Sequence, residues 1–304
     1  MDSSPKTEPA NKPVSAAGLL NVMKQTVKEW QEDKVSVLAA SLAYYTIFSL
    51  APMLILLIAL ISLFFDQSYA REYLIKQFQS LFGADVAGTL TTMIDQRSQL
   101  GGNTLATVIG GLLMLVGATG AFSQLQTALN IIWNVKEEKK STGIGGWVKV
   151  RLLSFGLIIV IGFLLLVSLL VSTFISVLGA SIRDLFPNAL VLTQAANIVL
   201  SLAIISLLFA LIFKFLPDVK TRWRDVWLGS VVTAILFVIG KALIGLYLGN
   251  GAVTSSYGAA GSLVVILLWV YYSAQILLFG GEFTQVYANQ IRAGKFKQGE
   301  AGTD

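Results

Sequence analysis

Two ionisable residues are candidates for chemistry because each lies inside a long apolar stretch: Lys241 and Glu282. Lys241 is the single charged residue between Val226 and Gly281. An ammonium group in hydrocarbon costs about 3 kcal/mol unless it pairs, reaches water or snorkels. Lys241 is therefore a candidate binding residue for an anionic group such as a lipid phosphate. The alternative is that its aliphatic stem carries the charge to the nearer membrane surface.

Glu282 follows Gly280 and Gly281 and is the single carboxylate between Asp225 and Glu300. Its position near the inner end of its apolar stretch disfavours a direct pair with Lys241, which falls in the outer half of the preceding stretch. We expect Glu282 to lie at the cytoplasmic interface, in contact with the basic connection at 214–224, and retain it as a candidate binding residue.

Uncharged polar residues inside the apolar stretches, among them Asn130 and Gln275, are further candidates. They would either line a polar path or hydrogen-bond across helices. Cysteine and histidine are both absent, which excludes thiolate and imidazole metal ligands, histidine acid–base catalysis and cysteine nucleophiles. A nucleotide-binding glycine loop with its lysine is also missing. We therefore predict no metal, no cofactor and no enzymatic activity.

The elements that position these residues are apolar stretches of helix length. Hydrophobic residues make up 55% of the 304 residues and charged residues 13%, and the mean hydropathy is +0.72. Six charge-poor stretches predict an all-α protein that crosses a bilayer six times, because only helices and closed barrels satisfy the backbone in lipid. The approximate bounds of these stretches are 35–65, 104–122, 152–180, 190–215, 226–248 and 259–288.

Basic residues alternate between the connections. Of the 22 Lys and Arg residues, 17 fall on the side that holds both termini and four on the other side. The positive-inside rule then predicts that both termini are cytoplasmic. The net charge of +5 is thereby explained by orientation and by contact with anionic lipids, so we expect membrane lipids and no nucleic acid as partners.

The chain divides into a disordered polar tail at 1–17, a membrane domain at 18–290 and a basic, flexible tail at 291–304. Apolar residues at helical spacing from Leu19 to Trp30 predict an amphipathic helix, either on the inner membrane surface or against the protein's own loops. The segment at 66–100 is predicted to form two short amphipathic helices on the outer face.

Several residues are predicted to shape the helices. Pro52 removes one helical hydrogen bond and should kink the first stretch after Ser49. Gly245 and Gly249 have the GxxxG spacing that favours close helix contacts in lipid. Trp269 falls near the middle of the last stretch, which favours packing in the interior of the domain.

Five segments carry a family resemblance: LAASLAYYTIFSLAPMLILL (38–57), FSQLQTALNIIWNV (122–135), KVRLLSF (149–155), FLPDVKTRWRDVWLGSVVTAILF (215–237) and SYGAAGSLVVILLWVYYSAQILLFGGEF (256–283). In this order they resemble the YihY/BrkB family of bacterial integral membrane proteins, sometimes labelled ribonuclease BN. The resemblance implies an inner-membrane location. It also places six residues on family-typical positions: Lys241, Tyr247, Tyr257, Gly258, Trp269 and Glu282. Through the resemblance, Tyr247 and Tyr257 become candidate binding residues and Gly258 becomes a candidate structural residue.

The kinked first helix, Lys241 and the absence of a motor domain favour a transporter or flippase-like handler of a lipid or lipid-linked anion. One alternative is a non-transporting scaffold or assembly factor, in which Lys241 would only snorkel. The other is a ribonuclease. Metal-dependent RNA cleavage needs clustered carboxylates or histidines, and the loop acids stand close to lysine or arginine on short connections, which disfavours the nuclease: Glu137, Glu138, Asp218 and Asp225.

Overall fold

The computed structural model describes residues 16–82, 87, 88, 91, 92, 104–135, 145, 152, 156, 159–164, 167, 189–249 and 260–300. Seven long helices lie within this part of the chain: α1 (Ala16–Glu32), α2 (Val35–Ile61), α3 (Gln67–Phe82), α4 (Thr104–Ile132), α5 (Ala189–Phe215), α6 (Trp223–Gly249) and α7 (Gly261–Glu300). These residues contain no strand, which confirms the predicted all-α class.

Three of the described helices are long and apolar enough to cross a membrane, over Ile198–Phe215 in α5, Trp223–Tyr247 in α6 and Gly261–Gln290 in α7. Helix α2 is a fourth if its two halves form one span. The prediction of six crossings is therefore met in part. Most of the stretch predicted at 152–180 falls outside the described residues.

The kink predicted at Pro52 is present, because the axis of α2 bends by 56° between Leu50 and Pro52. At the bend, the Ala121 backbone N–H of α4 donates to Ser49 Oγ at 3.1 Å. Glycines on α4 permit this approach: a Cβ placed on Gly117 would lie 3.0 Å from Pro52 Cγ. Small residues thus set the contact between α2 and α4, as is usual for helices in lipid.

Helices α6 and α7 meet through two reciprocal glycine–threonine contacts. A Cβ on Gly229 would overlap the Thr284 side chain, and a Cβ on Gly280 would overlap Thr233. Each threonine donates its hydroxyl to a carbonyl in its own helix, Thr233 to Gly229 and Thr284 to Gly280, both at 2.6 Å. The two backbones can therefore approach closely with both hydroxyls satisfied.

The core lies between α2, α4, α5, α6 and α7. Its large, fully buried side chains include Leu54, Leu129, Ile132, Phe213, Ile266 and Leu278. Helix α1 packs on α7 beside the start of α2. We call this end of the molecule, which also holds the 216–222 loop between α5 and α6, the α1 end.

The turn between α1 and α2 consists of Asp33 and Lys34. Lys34 adopts a left-handed backbone conformation, with φ 51° and ψ 44°, and its N–H donates to the Gln31 carbonyl at 3.2 Å. A left-handed residue ends a helix in the way that glycine commonly does. The turn brings Asp33 within hydrogen-bonding reach of Glu282 on α7.

One predicted boundary differs from the structure, and one of the two predicted outer helices is found. Helix α7 continues past residue 290 to Glu300, because the segment after 290 contains helix formers and no proline. The second outer amphipathic helix of 66–100 falls mostly outside the described residues, whereas the first is α3.

Candidate functional site

A candidate site is a groove between α1, α6 and α7 with a volume of about 670 Å³. We call it the lateral groove, and its lining comprises Val27, Trp30, Leu236, Ile239, Gly240, Leu243, Tyr271, Tyr272, Gln275, Ile276 and Phe279. The volume lies in the range of ligand sites. Its walls on α6 and α7 belong to two of the candidate membrane spans, so the groove runs along the side of the bundle at the depth of lipid chains.

A few polar groups interrupt this apolar surface. The Gln275 amide Nε2 donates to Tyr271 Oη at 2.7 Å, while the buried Gln275 Oε1 has no donor among the described residues. Ile276 and the Tyr272 ring pack directly on Gly240, where a Cβ would lie 2.5 Å from Ile276 Cδ1. The groove therefore offers mainly apolar contact with one unsatisfied acceptor, a pattern that suits the chain region of an amphiphile.

Helix α1 closes one end of the lateral groove with Val27 and Trp30. Its other face docks on the bundle, where Val22, 1% exposed, packs on Phe283 and Val286 of α7. Residues between these faces remain exposed, among them Leu20 at 71%. The helix thus packs on α7 of the protein itself and also presents apolar residues outward, and its predicted place on the inner membrane surface stays a prediction.

Lys241 is exposed and lies on α6 outside the lining of the lateral groove. One turn before it, Phe237 packs in the core and makes edge-to-face ring contacts with Phe209 and Trp269. Residues four apart share a helix face, so Lys241 continues the face that Phe237 buries. It sits where that face emerges from the packed core, and Tyr247 further along is exposed as well.

Glu282 is 0% exposed on α7, which differs from the interfacial position expected from the sequence. Neither of its carboxylate oxygens has a hydrogen-bond donor among the described residues. The charged groups that act on it are Asp33, which is within hydrogen-bonding reach, and Glu29. Its acidic neighbours from α1 and the turn therefore replace the basic neighbours expected from the 214–224 connection.

The Asp33 carboxyl, which lies outside the candidate spans, is perturbed by this environment. Burial raises the pKa of Asp33 above its ordinary value. Its hydrogen-bonding contact with Glu282 lowers that pKa in part, and the negative charges of Glu29 and Glu32 raise it again. The net effect is a raised pKa, so Asp33 keeps its proton to higher pH than a solvated aspartate would.

The pairing of α6 with α7 separates Lys241 from Glu282, as expected. Gly240 lies beside Tyr272, so Lys241 is level with that tyrosine. Glu282 is ten residues further along α7, a distance of about 15 Å along the helix axis at about 1.5 Å per residue. The two charged groups belong to different sites.

Asn130 takes part in a hydrogen-bond network at the α1 end. Its Nδ2 donates to Asp218 Oδ2 at 3.1 Å, and the Asp218 backbone N–H donates to Asn130 Oδ1 at 2.8 Å. Gln126, one turn earlier on α4, also donates to Asp218 Oδ2, at 3.2 Å. Asn130 thus fixes the 216–222 loop on α4, which corresponds to the hydrogen bond across helices rather than to a polar path.

The remaining predicted residues are scattered. Trp269 is buried in the core, as predicted. Gly245 is exposed and no described residue lies within 4 Å of a Cβ placed on it, so the close contact expected there is not found, because Gly245 lies on a face of α6 that no described helix covers. Gly249 is the last residue of α6, and Tyr257 and Gly258 lie outside the described residues.

Sequence reasoning missed two functional or structural positions, Asp33 and Thr284, whereas Thr233 is one of the uncharged polar residues inside the apolar stretches. Asp33 lies among other charged residues in a polar segment, so nothing in the surrounding sequence distinguishes it as a functional residue. The Gly229–Thr233 and Gly280–Thr284 pairs share a Gly-x-x-x-Thr spacing, a form of the small-residue pattern that marks close helix contacts. That spacing is the signal that could have identified the contact.

These features define a polytopic, all-helical membrane protein. The chain belongs to the family described as Virulence factor BrkB, which matches residues 26–303, in agreement with the resemblance found in the sequence.

Proteins similar to this chain are named UPF0761 membrane proteins. The chain is 29% identical over 255 residues to one from Ralstonia nicotianae, covering 82% of this chain and 54% of the relative. It is 26% identical over 284 residues to one from Teredinibacter turnerae, covering 92% and 63%, and 27% identical over 264 residues to one from Alteromonas mediterranea, covering 85% and 84%. The chain thus spans less than two thirds of the length of the first two. No solved structure matches it.

Proposed function

We propose that this protein crosses a bacterial inner membrane six times, with both termini in the cytoplasm, and that it moves a lipid or lipid-linked anion between leaflets without enzymatic activity. The lateral groove is the observation that carries the proposal. A groove that opens sideways from membrane-spanning helices is accessible to acyl chains and not to water-soluble solutes.

The lateral groove lies near the middle of the membrane-spanning helices. Along α7 its lining runs from Tyr271 to Phe279, about 12 Å at about 1.5 Å per residue. These residues straddle the centre of the candidate span Gly261–Gln290. The groove would therefore lie at the depth of acyl chains, with α1 at one of its ends.

The α1 end has the chemistry expected of the cytoplasmic interface. Trp223 and Trp227 at the start of α6 are both about half exposed, and Lys214 Nζ lies 6.0 Å from the Trp223 ring centroid. Exposed tryptophans beside basic residues are typical of a membrane boundary on its cytoplasmic side. This arrangement favours an amphiphile that enters the groove from the inner leaflet.

In this proposal, Lys241 makes a separate contact with the anionic headgroup of the lipid. It lies on another face of α6 from the lateral groove and in the half of the helix away from the α1 end. A lipid whose headgroup reaches that half would find a cation there that no described carboxylate pairs. The groove and Lys241 would then act at two stages of one movement.

The proposal is tested by leaflet exchange of labelled lipids in liposomes that contain the full-length protein. We expect wild type to accelerate exchange of an anionic phospholipid over protein-free vesicles. Leu243→Trp should remove most of this acceleration because Leu243 lines the groove. Leu246→Trp is the matched control, since Leu246 is an exposed leucine of the same helix that does not line the groove.

Two outcomes would count against the proposal. Exchange equal to that of empty vesicles across a panel of anionic and zwitterionic lipids would reject translocation. Equal loss in both tryptophan variants would show that the lateral groove is not the path.

A further inference from the structure

We propose that Glu282 and Asp33 form a proton-binding site that holds the α1–α2 turn on α7. This inference concerns the attachment of α1 and does not depend on lipid movement. It starts from Glu282, whose side chain is 0% exposed with no hydrogen-bond donor among the described residues. A buried carboxylate without a donor or counter-ion is too costly to persist.

The polar group in contact with Glu282 is another carboxyl. Asp33 approaches it within hydrogen-bonding reach from the turn. An ionised carboxylate is an acceptor with no donor. Two carboxyls in contact therefore need a cation between them, and a single proton converts the contact into a hydrogen bond.

The charged groups on the surrounding elements do not supply that cation. Helix α1 presents Glu29 and Glu32, of which Glu32 is paired with Lys28 at 3.4 Å on the exposed surface, and the turn adds Lys34, whose side chain is exposed. Helices α2 and α4 have no charged residue within their bounds, and α6 begins with an exposed Arg224 and a buried Asp225. The charged groups that act on Glu282 are thus two acids, Asp33 and Glu29, which favours proton uptake.

Proton loss would release the turn. With a proton, the Glu282–Asp33 pair fastens α1 to α7 next to the contact of Val22 with Phe283. Without it, two negative charges face each other beside Glu29. The docked form binds more protons than the released form, so docking is strongest at low pH and weakens as pH rises from the ordinary carboxyl pKa towards the raised pKa of Asp33.

Cysteine labelling can measure this release because the chain has no cysteine of its own. Val22→Cys places a thiol at a position 1% exposed, and Leu20→Cys places one on the same helix at a position 71% exposed. The ratio of their maleimide labelling rates in nanodisc-embedded full-length protein cancels the intrinsic pH dependence of the thiol. We expect the ratio to rise by up to about tenfold per pH unit while the pair titrates, the limit for one linked proton.

Glu282→Gln, added to both cysteine variants, should keep the ratio low and independent of pH, because the amide is neutral and can donate. Asp33→Asn should reduce the slope for the same reason. A wild-type slope in Glu282→Gln would overturn the proposal. If that variant does not fold, a wild-type slope in Asp33→Asn, at a partly exposed position, would do so. Replacing Na⁺ by choline at constant pH should leave the ratio unchanged, and a dependence on Na⁺ would show that the pair binds a metal cation instead.

Discussion

The α6–α7 pair is tightly packed at the α1 end and open at the other. Towards the α1 end, Gly229 and Gly280 each receive a threonine of the opposite helix, and Thr233 and Thr284 are fully buried. Beyond Gly240 the successive residues of α6 are nearly all exposed, including Lys241 and Tyr247. One pair of helices thus contains a rigid contact and an accessible surface.

The difference shows that apolar character alone does not hold helices together in lipid. Both halves of α6 are apolar, but lipid chains solvate an apolar side chain as well as a neighbouring helix does. Contact is made where small residues let the backbones approach. The open half keeps larger side chains such as Leu243 and Leu246, and these remain available to lipid.

Substituting the contact glycine should have the largest effect. Gly229→Ala would force a Cβ into the Thr284 side chain, and overpacking of this kind costs about 1–3 kcal/mol or more. Gly245→Ala in the open half should leave stability unchanged or raise it slightly, since alanine favours helix by about 1 kcal/mol over glycine. Thermal unfolding of both variants in the same detergent measures the difference, and equal melting temperatures would contradict the contrast between the two halves.

Breaking the Asn130–Asp218 network at the α1 end should have an intermediate effect. Asn130→Ala leaves the Asp218 backbone N–H and carboxylate without their Asn130 partners, which should lower the free energy of unfolding by about 1–3 kcal/mol. Thr127→Ala, at an exposed position of the same helix, should change it by less than about 0.5 kcal/mol. Denaturant titration of the two variants gives the comparison. A loss in Thr127→Ala as large as in Asn130→Ala would argue against a specific network.

Lys241→Ala should have the smallest effect on stability, within about 0.5 kcal/mol, because the side chain is exposed in the open half. Its expected effect is on exchange of anionic lipid, which should fall while exchange of a zwitterionic lipid is retained. Lys241→Arg keeps the charge and should preserve both rates. Equal rates for wild type and Lys241→Ala with every anionic lipid would leave Lys241 as a snorkelling residue.

Features that depend on neighbours in the chain were predictable from the sequence. The kink at Pro52, the amphipathic α1 and the end of α5 before Pro217 follow from backbone chemistry or from helical spacing. The separation of Lys241 from Glu282 was also predictable, since depth in a membrane follows from counting residues along a helix.

Features that depend on which helices meet were not predictable. Asn130 and Asp218 are 88 residues apart in the chain, and their pairing follows from the position of the 216–222 loop. Gly245 has the spacing of a packing residue, yet no described residue lies within 4 Å of a Cβ placed there. A single sequence contains the spacing of a motif without the identity of its partner.

The sequence by itself determined a helical membrane protein and the depth of its polar groups, because a backbone in hydrocarbon must satisfy its hydrogen bonds within each helix and each residue advances it by a fixed rise. The tertiary structure decided what each polar group meets. Glu282 faces the acidic turn at Asp33 because the left-handed Lys34 ends α1 beside α7, and the lateral groove exists because α1, α6 and α7 leave a space between them.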